Sequence, residues 1–469
     1  MSNEIEETVD IAKLIDDGPA SRLLIPVSIL CASVSLLAGS DTTSIGVVAP
    51  LIINRLHLSL AHLGPIFSAG TFGAMVGALT FGPLSDRFGR KRMLIIATLA
   101  FGVFTATTAF ADTLRSLLLA RFLAGIGLGG SVPCFIALAS EYAPQSRRAR
   151  VTTLIWSAFP LGVILGAALN AYILSHYSWQ MIFLVGGVLP LIISVLLVIM
   201  LPESIRFLLV RKPNSPQISR IASRILPSLP SGVRFVGREE KTAEIPTQSL
   251  FAGGRGIETL LLWVAFLVAF GMTAAMFLWC SILLHNHGFS LPAASLIVGM
   301  GGGIASLLGA AGVGRLLEKF GSTRTMALTF LLATLSTAAL GFAASSRVSI
   351  VIDVIAIITF FAGLGTSGML ALSAIIYPTA MRSTGVGWAM GAGKLGEVLL
   401  PLSIGLLMTA TGSLGEQVFL VMALMPFLGF LSILVLGWHK SRLGTVEHGI
   451  PVFERSSQEA VSKGTRHTA

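Results

Sequence analysis

Apolar runs of about twenty residues or more recur twelve times along the chain, separated by short polar segments. They predict helices at 23–52, 62–83, 92–111, 115–139, 152–174, 181–201, 258–283, 292–316, 325–344, 348–372, 385–410 and 416–438. At 1.5 Å of rise per residue each is about long enough to cross ~30 Å of hydrocarbon. One interval breaks the rhythm: Glu203 to Ile257 is polar and carries Pro213, Pro216, Pro227, Pro230 and Pro246. It divides the chain into a tail at 1–22, six spans at 23–202, a linker at 203–257, six more at 258–438, and a tail at 439–469. Within the linker, Pro216 opens a short amphipathic run with Ile218, Ile221 and Ile225 on one face and Arg220 and Arg224 beside them, the pattern of a surface helix.

The two sixes share local sequence. Gly82-Pro83-Leu84-Ser85-Asp86-Arg87-Phe88-Gly89-Arg90-Lys91-Arg92 follows the second run, and Gly314 to Arg324 repeats its acid, base, Phe and Gly after the eighth. Phe122-Leu123-Ala124-Gly125-Ile126-Gly127 is echoed by Phe360-Phe361-Ala362-Gly363-Leu364-Gly365, and Tyr142 and Arg147 by Tyr377 and Arg382. The offsets are all close to 235 residues, which predicts two similar halves. Halves that rock against one another are the mechanical requirement of a transporter.

Composition agrees with a membrane protein. The chain has 469 residues, 54% hydrophobic and 12% charged, about half the charge of a soluble domain. The formal net charge of +10 raises nucleic acid as a partner, but placement argues against it. Twenty Lys and Arg residues fall in one set of inter-span loops (from Arg87 through Arg382) and three, Arg55, Arg115 and Arg347, in the other. By the positive-inside rule the first set is cytoplasmic, with both termini on that side. The acidic N-terminus, Met1 to Asp17, lacks the basic flank of a signal peptide, so the first run is expected to be a retained span. Cys31, Cys134 and Cys280 show neither disulfide nor metal spacing. His285-Asn286-His287 has no acid or Cys beside it, so no metal is expected. No Gly-x-x-x-x-Gly-Lys-Ser/Thr loop is present, which argues against an ATP-driven pump, and nothing points to an enzyme or a cofactor.

The 82–92 run resembles the loop signature of the major facilitator superfamily, and the resemblance spans all twelve runs. Other motifs resemble the aromatic acid:proton symporters. They are Gly39-Ser40-Asp41-Thr42 with Ile45 to Pro50, Arg121 to Gly130, Ala137 to Pro144, Leu201-Pro202-Glu203-Ser204, and Tyr377 to Trp388. The resemblance implies an all-α membrane protein of two pseudo-symmetric six-helix bundles that moves a small organic anion with protons. Two positions depart from that family's pattern. Ala38 stands where it has an acid, and Lys394, in Gly391-Ala392-Gly393-Lys394-Leu395-Gly396, stands where it has an anion-binding Arg. Lys keeps the charge but not the bidentate fork.

Charges inside spans carry the functional expectation, because each costs about 2.5–3.5 kcal/mol near the bilayer centre. Asp41 and Arg121 lie at depths that let them meet, as a proton-coupling pair or as a fixed structural bridge. Lys394 falls near the midplane, with Glu397 one turn further along the same helix. We expect Lys394 to contact the substrate carboxylate and Glu397 to carry a proton in place of the acid missing at Ala38; mutual neutralisation is the simpler alternative. Trp156, Phe159, Phe277 and Trp388 are candidate walls for a flat ring, and Asn170 a candidate polar contact. The cytoplasmic gate is expected to use Gly82, Asp86, Arg87, Gly89, Arg90, Glu141 and Arg147, with Glu318 and Arg382 in the second half. Asp353 reads as solvated. The expected protein is a monomeric inner-membrane importer of an aromatic carboxylate. Its rivals are a carrier of another hydroxy or sugar acid, a drug/proton antiporter, or a non-transporting sensor on the same scaffold.

Overall fold

The computed structural model describes residues 8–10, 15, 23–144, 147–211, 215–225, 234–236, 250–251, 255–343, 348–377, 382–411 and 416–442. Most of the linker beyond 225, nearly all of the N-terminal tail and the C-terminal tail from 443 lie outside the described residues. Among the described residues, twelve helices are long and apolar enough to cross a membrane. In chain order they are α1 (Leu24–Leu56), α2 (Leu63–Phe88), α3 (Arg90–Thr108), α4 (Leu114–Tyr142), α5 (Arg148–His176) and α6 (Gln180–Met200). Short α7 (Ile205–Arg211) and α8 (Pro216–Ile225) follow in the linker, and then α9 (Gly256–Asn286). The eighth span is α10 (Leu291–Ser295), a π turn at Leu296–Gly301 and α11 (Gly302–Phe320). The last four are α12 (Ser322–Ala343), α13 (Val348–Ile376), α14 (Arg382–Thr411) and α15 (Glu416–Arg442). Two three-residue strands, β1 (Thr8–Asp10) and β2 (Arg234–Val236), pair in parallel and tie the N-terminal tail to the linker.

Several helices outrun their apolar stretches, and the repeated acid-base segment is not the turn expected from its polarity. α2 stays helical through Asp86 and Arg87 to Phe88, and a single residue, Gly89 at φ 106°, makes the joint with α3. Gly321 at φ 83° makes the same joint between α11 and α12. Polarity reports where the chain leaves the hydrocarbon, whereas the helix ends only where a positive φ turns the backbone, which glycine tolerates. At Gly89 a side chain would also strike Glu203, since a Cβ would lie 2.6 Å from its Oε2.

Small residues let the helices within each half approach to backbone contact. Gly73 and Gly77 of α2 sit on the carbonyls of Phe122 and Ile126 in α4, and Gly125 and Gly129 sit in return on Gly70 and Ala74. In the second half Gly309 sits on Phe360 O and Gly363 on Ser306 O. The Phe122–Gly125 echo in the sequence is therefore the same helix crossing, built twice. Gly162 on Leu36 O and Gly396 on Leu267 O form a second matched pair, between α1 and α5 and between α9 and α14.

Three apolar cores show how the halves meet. One joins both halves, bringing Ile45, Phe67 and Phe183 together with Phe277, Trp279 and Ile404. The other two are separate: Leu24, Leu138 and Tyr142 with the linker residues Leu208, Ile218 and Ile221 in the first half, and Phe266, Met326 and Tyr377 in the second. α8 thus lays its apolar face on the first half. The shared core lies at the face opposite the linker. There Phe67 meets Trp279 edge-on at 5.2 Å, Ser68 Oγ donates to Val398 O at 2.8 Å, Ser295 Oγ donates to Ala167 O at 3.0 Å, and Gly64 abuts Gly405. The halves are closed against one another at that face and keep separate cores toward the linker face.

Candidate functional site

Among the described residues, two charge pairs sit well inside the spans, away from their ends. Arg121 of α4 forks onto Asp41 of α1, Nη1 donating to Oδ1 at 3.2 Å and Nη2 to Oδ2 at 2.9 Å. Gly70 of α2 leaves space beside the guanidinium, which also lies 5.8 Å from the Phe183 ring centroid of α6. Both side chains are at most 7% exposed, so the pair is enclosed by its own half. The bidentate geometry is the strongest form of this contact and fixes both side chains. Arg121 Nε is buried with no partner among the described residues.

The second pair is more open. Lys394 Nζ donates to Glu397 Oε1 at 2.9 Å and Oε2 at 2.8 Å, along one face of α14. Their side chains keep 27% and 17% exposure. They lie just on the linker side of Val398, whose carbonyl accepts from Ser68 of the other half. The site offers one ammonium and one carboxylate with no net charge.

The other candidates scatter. Trp156 and Phe159 stack in parallel on α5 at 5.8 Å and are half-buried, a flat platform on the first half. Asn170 is buried and hydrogen-bonds Ser44 of α1 through Nδ2 at 3.2 Å, so it joins two helices of one half. Phe277 is buried in the shared core, within the closed end. Trp388 is about half exposed and stacks on Trp263 at 5.8 Å, six residues from Lys394 and on a different face of α14. The structure does not bring Phe277, Trp388 or Asn170 to the Lys394–Glu397 pair.

The expected gate residues form a cluster inside the first half. Arg90 bonds Asp86 at 3.2 Å and pairs with buried Glu141, which in turn bonds Ser204. Gly89 is the joint, Gly82 has open space around it, and Arg87 and Arg147 are exposed. In the second half Glu318 is exposed, and the side chain of Arg382 lies outside the described residues. Each of these contacts lies within the first half. The seam that joins the halves lies at the opposite face. Sequence reasoning gave no role to Glu203. Its carboxylate accepts the Lys91 and Ser204 backbone N–H groups, both at 2.9 Å, while Tyr142 OH donates to the Glu203 carbonyl at 2.7 Å. The available signal was an acid immediately after the sixth apolar run, opposite the start of α3, where a helix N-terminus attracts negative charge.

A cavity of about 380 Å³ opens elsewhere, in the second half, among Met272, Met276, Ser403, Ile404, Met422 and Met425. Its walls are almost wholly apolar, and its α14 side begins at Leu400, beyond the charged pair. Among the described residues no three His, Cys, Asp or Glu gather as metal ligands would.

With this geometry in view, the profile of the Major Facilitator Superfamily matches residues 31–396 and 261–454. The chain belongs to the major facilitator superfamily. It is a twelve-span membrane transporter and not an enzyme. It is 32% identical over 443 residues to the 4-hydroxybenzoate transporter PcaK of Pseudomonas putida, covering 93% of this chain and 97% of that one. The gallate transporter of the same organism is 32% identical, with the same coverage. The 3-(3-hydroxy-phenyl)propionate transporter of Escherichia coli is 34% identical over 84% of this chain and 90% of its own length. The fold is that of the E. coli xylose transporter XylE in a partially occluded inward-open conformation, with TM-score 0.68 and 17% identity over 88% and 99% of the two chains. A bacterial homologue of the human lysosomal transporter Spinster, inward-facing and unoccupied, gives TM-score 0.69 and 16% identity over 90% and 98%.

Proposed function

We propose that this protein imports a small aromatic carboxylate together with protons across the bacterial inner membrane by alternating access. The observation that carries the reading is the Lys394–Glu397 pair. It is a cation and a protonatable acid near mid-span, partly exposed and close to the contact that joins the two halves. An isolated charge there is costly unless it faces a hydrated cavity or a partner, so intramembrane ionisable groups mark a pathway. Relatives that carry 4-hydroxybenzoate, gallate and 3-(3-hydroxy-phenyl)propionate support an aromatic acid as cargo. Half-buried Trp156 and Phe159 supply a surface for its ring.

The basic loops support a cytoplasmic linker face; in that orientation the conformer is inward-facing, and the reverse motion opens the Phe67–Trp279 seam. Asp41 and Arg121 sit in the enclosed core of the first half; their role in this reading is to hold α1 and α4 together and to be released only if a proton reaches Asp41. One proton with a monoanion is electrically neutral, so the pH gradient alone drives uptake. A second proton adds about 2.3 kcal/mol per 100 mV, roughly 40-fold in accumulation at ~1.4 kcal/mol per decade.

Purified protein in liposomes, given radiolabelled 4-hydroxybenzoate, benzoate and gallate with and without an inward pH gradient, tests the reading. Concentrative uptake that collapses with the gradient is expected. Accumulation independent of pH removes the proton. Uptake of quinate-like acids alone, or efflux of lipophilic cations, removes the aromatic carboxylate.

A further inference from the structure

Lys394 spends two of its donors on the two oxygens of a single carboxylate. That is the arrangement a substrate carboxylate would adopt on the same ammonium. The partner is only three residues away on one helix, so the contact persists whatever the other half does. The pair is therefore itself an internal copy of the anion complex. A second carboxylate arriving while Glu397 is ionised puts two negative charges on one cation in a partly desolvated place. A proton on Glu397 removes that conflict: the neutral acid releases Lys394 and becomes a hydrogen-bond donor.

Resting on the function proposed above, we infer that Glu397 is a resident competitor for Lys394, and that its protonation admits the substrate carboxylate. The proton comes from hydronium in the adjoining water, an O–H bond forming on Glu397 as one breaks on hydronium, and the site's net charge is unaltered by taking a proton and a monoanion together. Proton and anion then bind cooperatively at one site, although Ala38 provides no acid in α1.

The surroundings leave this pair to itself. α14 packs on α9, α2, α13, α15 and the 3-10 turn Leu60–His62. At the depth of Glu397 the neighbours are Leu267 and Gly271 of α9 and Ser68 of α2. The titratable or charged groups on those elements are Glu258, Cys280 and His285 on α9, Asp86 and Arg87 on α2, and Asp353 on α13, together with Glu416, His439, Lys440 and Arg442 on α15 and His62 on the turn. All but Cys280 stand toward a helix end. Lys394 is the ionic partner of Glu397 among the described residues.

The test is equilibrium binding of 4-hydroxybenzoate to the purified full-length protein from pH 5 to pH 8. Wild type should lose affinity with rising pH, approaching about tenfold per pH unit once Glu397 is ionised. Glu397→Gln should bind at least as tightly as wild type at its best pH and show no dependence on pH. Glu397→Asp, a fold control that keeps the acid, should retain the dependence, and Lys394→Gln should bind poorly at every pH. A wild-type pH profile that survives in Glu397→Gln overturns the inference while leaving the aromatic-acid reading intact. Weaker binding by Glu397→Gln at every pH, in protein as thermostable as wild type, overturns it too. A wild type that binds no aromatic carboxylate overturns both.

Discussion

Glycines at equivalent places in the two halves offer a stability test with its own controls. Gly73 and Gly309 each sit against a carbonyl of the neighbouring helix, those of Phe122 and Phe360. A Cβ at either position would lie well inside 3.0 Å of that oxygen, closer than real Cβ atoms come. Alanine there must drive the helices apart by about 1 Å, and overpacking of that kind costs typically about 1–3 kcal/mol. Gly82 and Gly314, matched across the same repeat, have nothing within 4 Å of an added Cβ. Alanine at those positions meets open space and gains up to about 1 kcal/mol of helix propensity. For units of this size ~1 kcal/mol moves an unfolding midpoint by roughly 2–4 °C. Gly73→Ala and Gly309→Ala should therefore each melt roughly 2–12 °C below wild type, and Gly82→Ala and Gly314→Ala at or slightly above it. Thermal unfolding of the four purified proteins at one scan rate provides the comparison. A Gly82→Ala protein that falls as far as Gly73→Ala, or a Gly309→Ala protein that melts like wild type, would refute the symmetric packing argument.

Asp41→Ala leaves the buried Arg121 guanidinium uncompensated and should cost about 3–5 kcal/mol; the Asp41→Ala, Arg121→Met double variant should recover most of that loss. Equal melting of single and double variants would show that the pair is not what holds α1 to α4. His57 is exposed and holds a left-handed backbone at φ 50°, closing α1. His57→Gly should raise stability by up to about 1 kcal/mol by relieving that conformation, and a lower melting point would contradict it. Cys280 is buried in the core shared by the two halves, and a Cβ at Gly46 would lie 2.9 Å from Leu278 O across the same seam. Gly46→Val should wedge the seam and raise maleimide labelling of Cys280 severalfold, with Cys31 and Cys134 unchanged; unaltered labelling would mean the seam stays shut.

The twelve spans and their division into two sixes were legible because run length and charge act locally. The echo of Phe122–Gly125 in Phe360–Gly363 was legible as repetition, although only the structure shows that each echo is a backbone contact with the preceding span. The meeting of Arg121 with Asp41 was readable from depth, since few partners exist at that level. What failed to read was angular position. Trp388 looks like a cavity wall by residue type, but its rotation about α14 turns it to Trp263. Asn170 looks like a ligand contact until Ser44 is found opposite it. Helix ends misread where polar residues such as Asp86 and Glu318 stay helical beyond the lipid. The π turn at Leu296–Gly301 and the pairing of Thr8–Asp10 with Arg234–Val236 depend on tertiary neighbours that no local pattern encodes.

The ion pairs Arg90–Asp86, Arg90–Glu141, Arg121–Asp41 and Lys394–Glu397 each stay within one half of the molecule. In the proposed alternating-access cycle, opening the Phe67–Trp279 seam exchanges apolar surface and a few hydroxyl contacts, and these four pairs travel whole within their halves. Such a transition is tuned by bilayer thickness and lateral tension, and ionic strength has little hold on it.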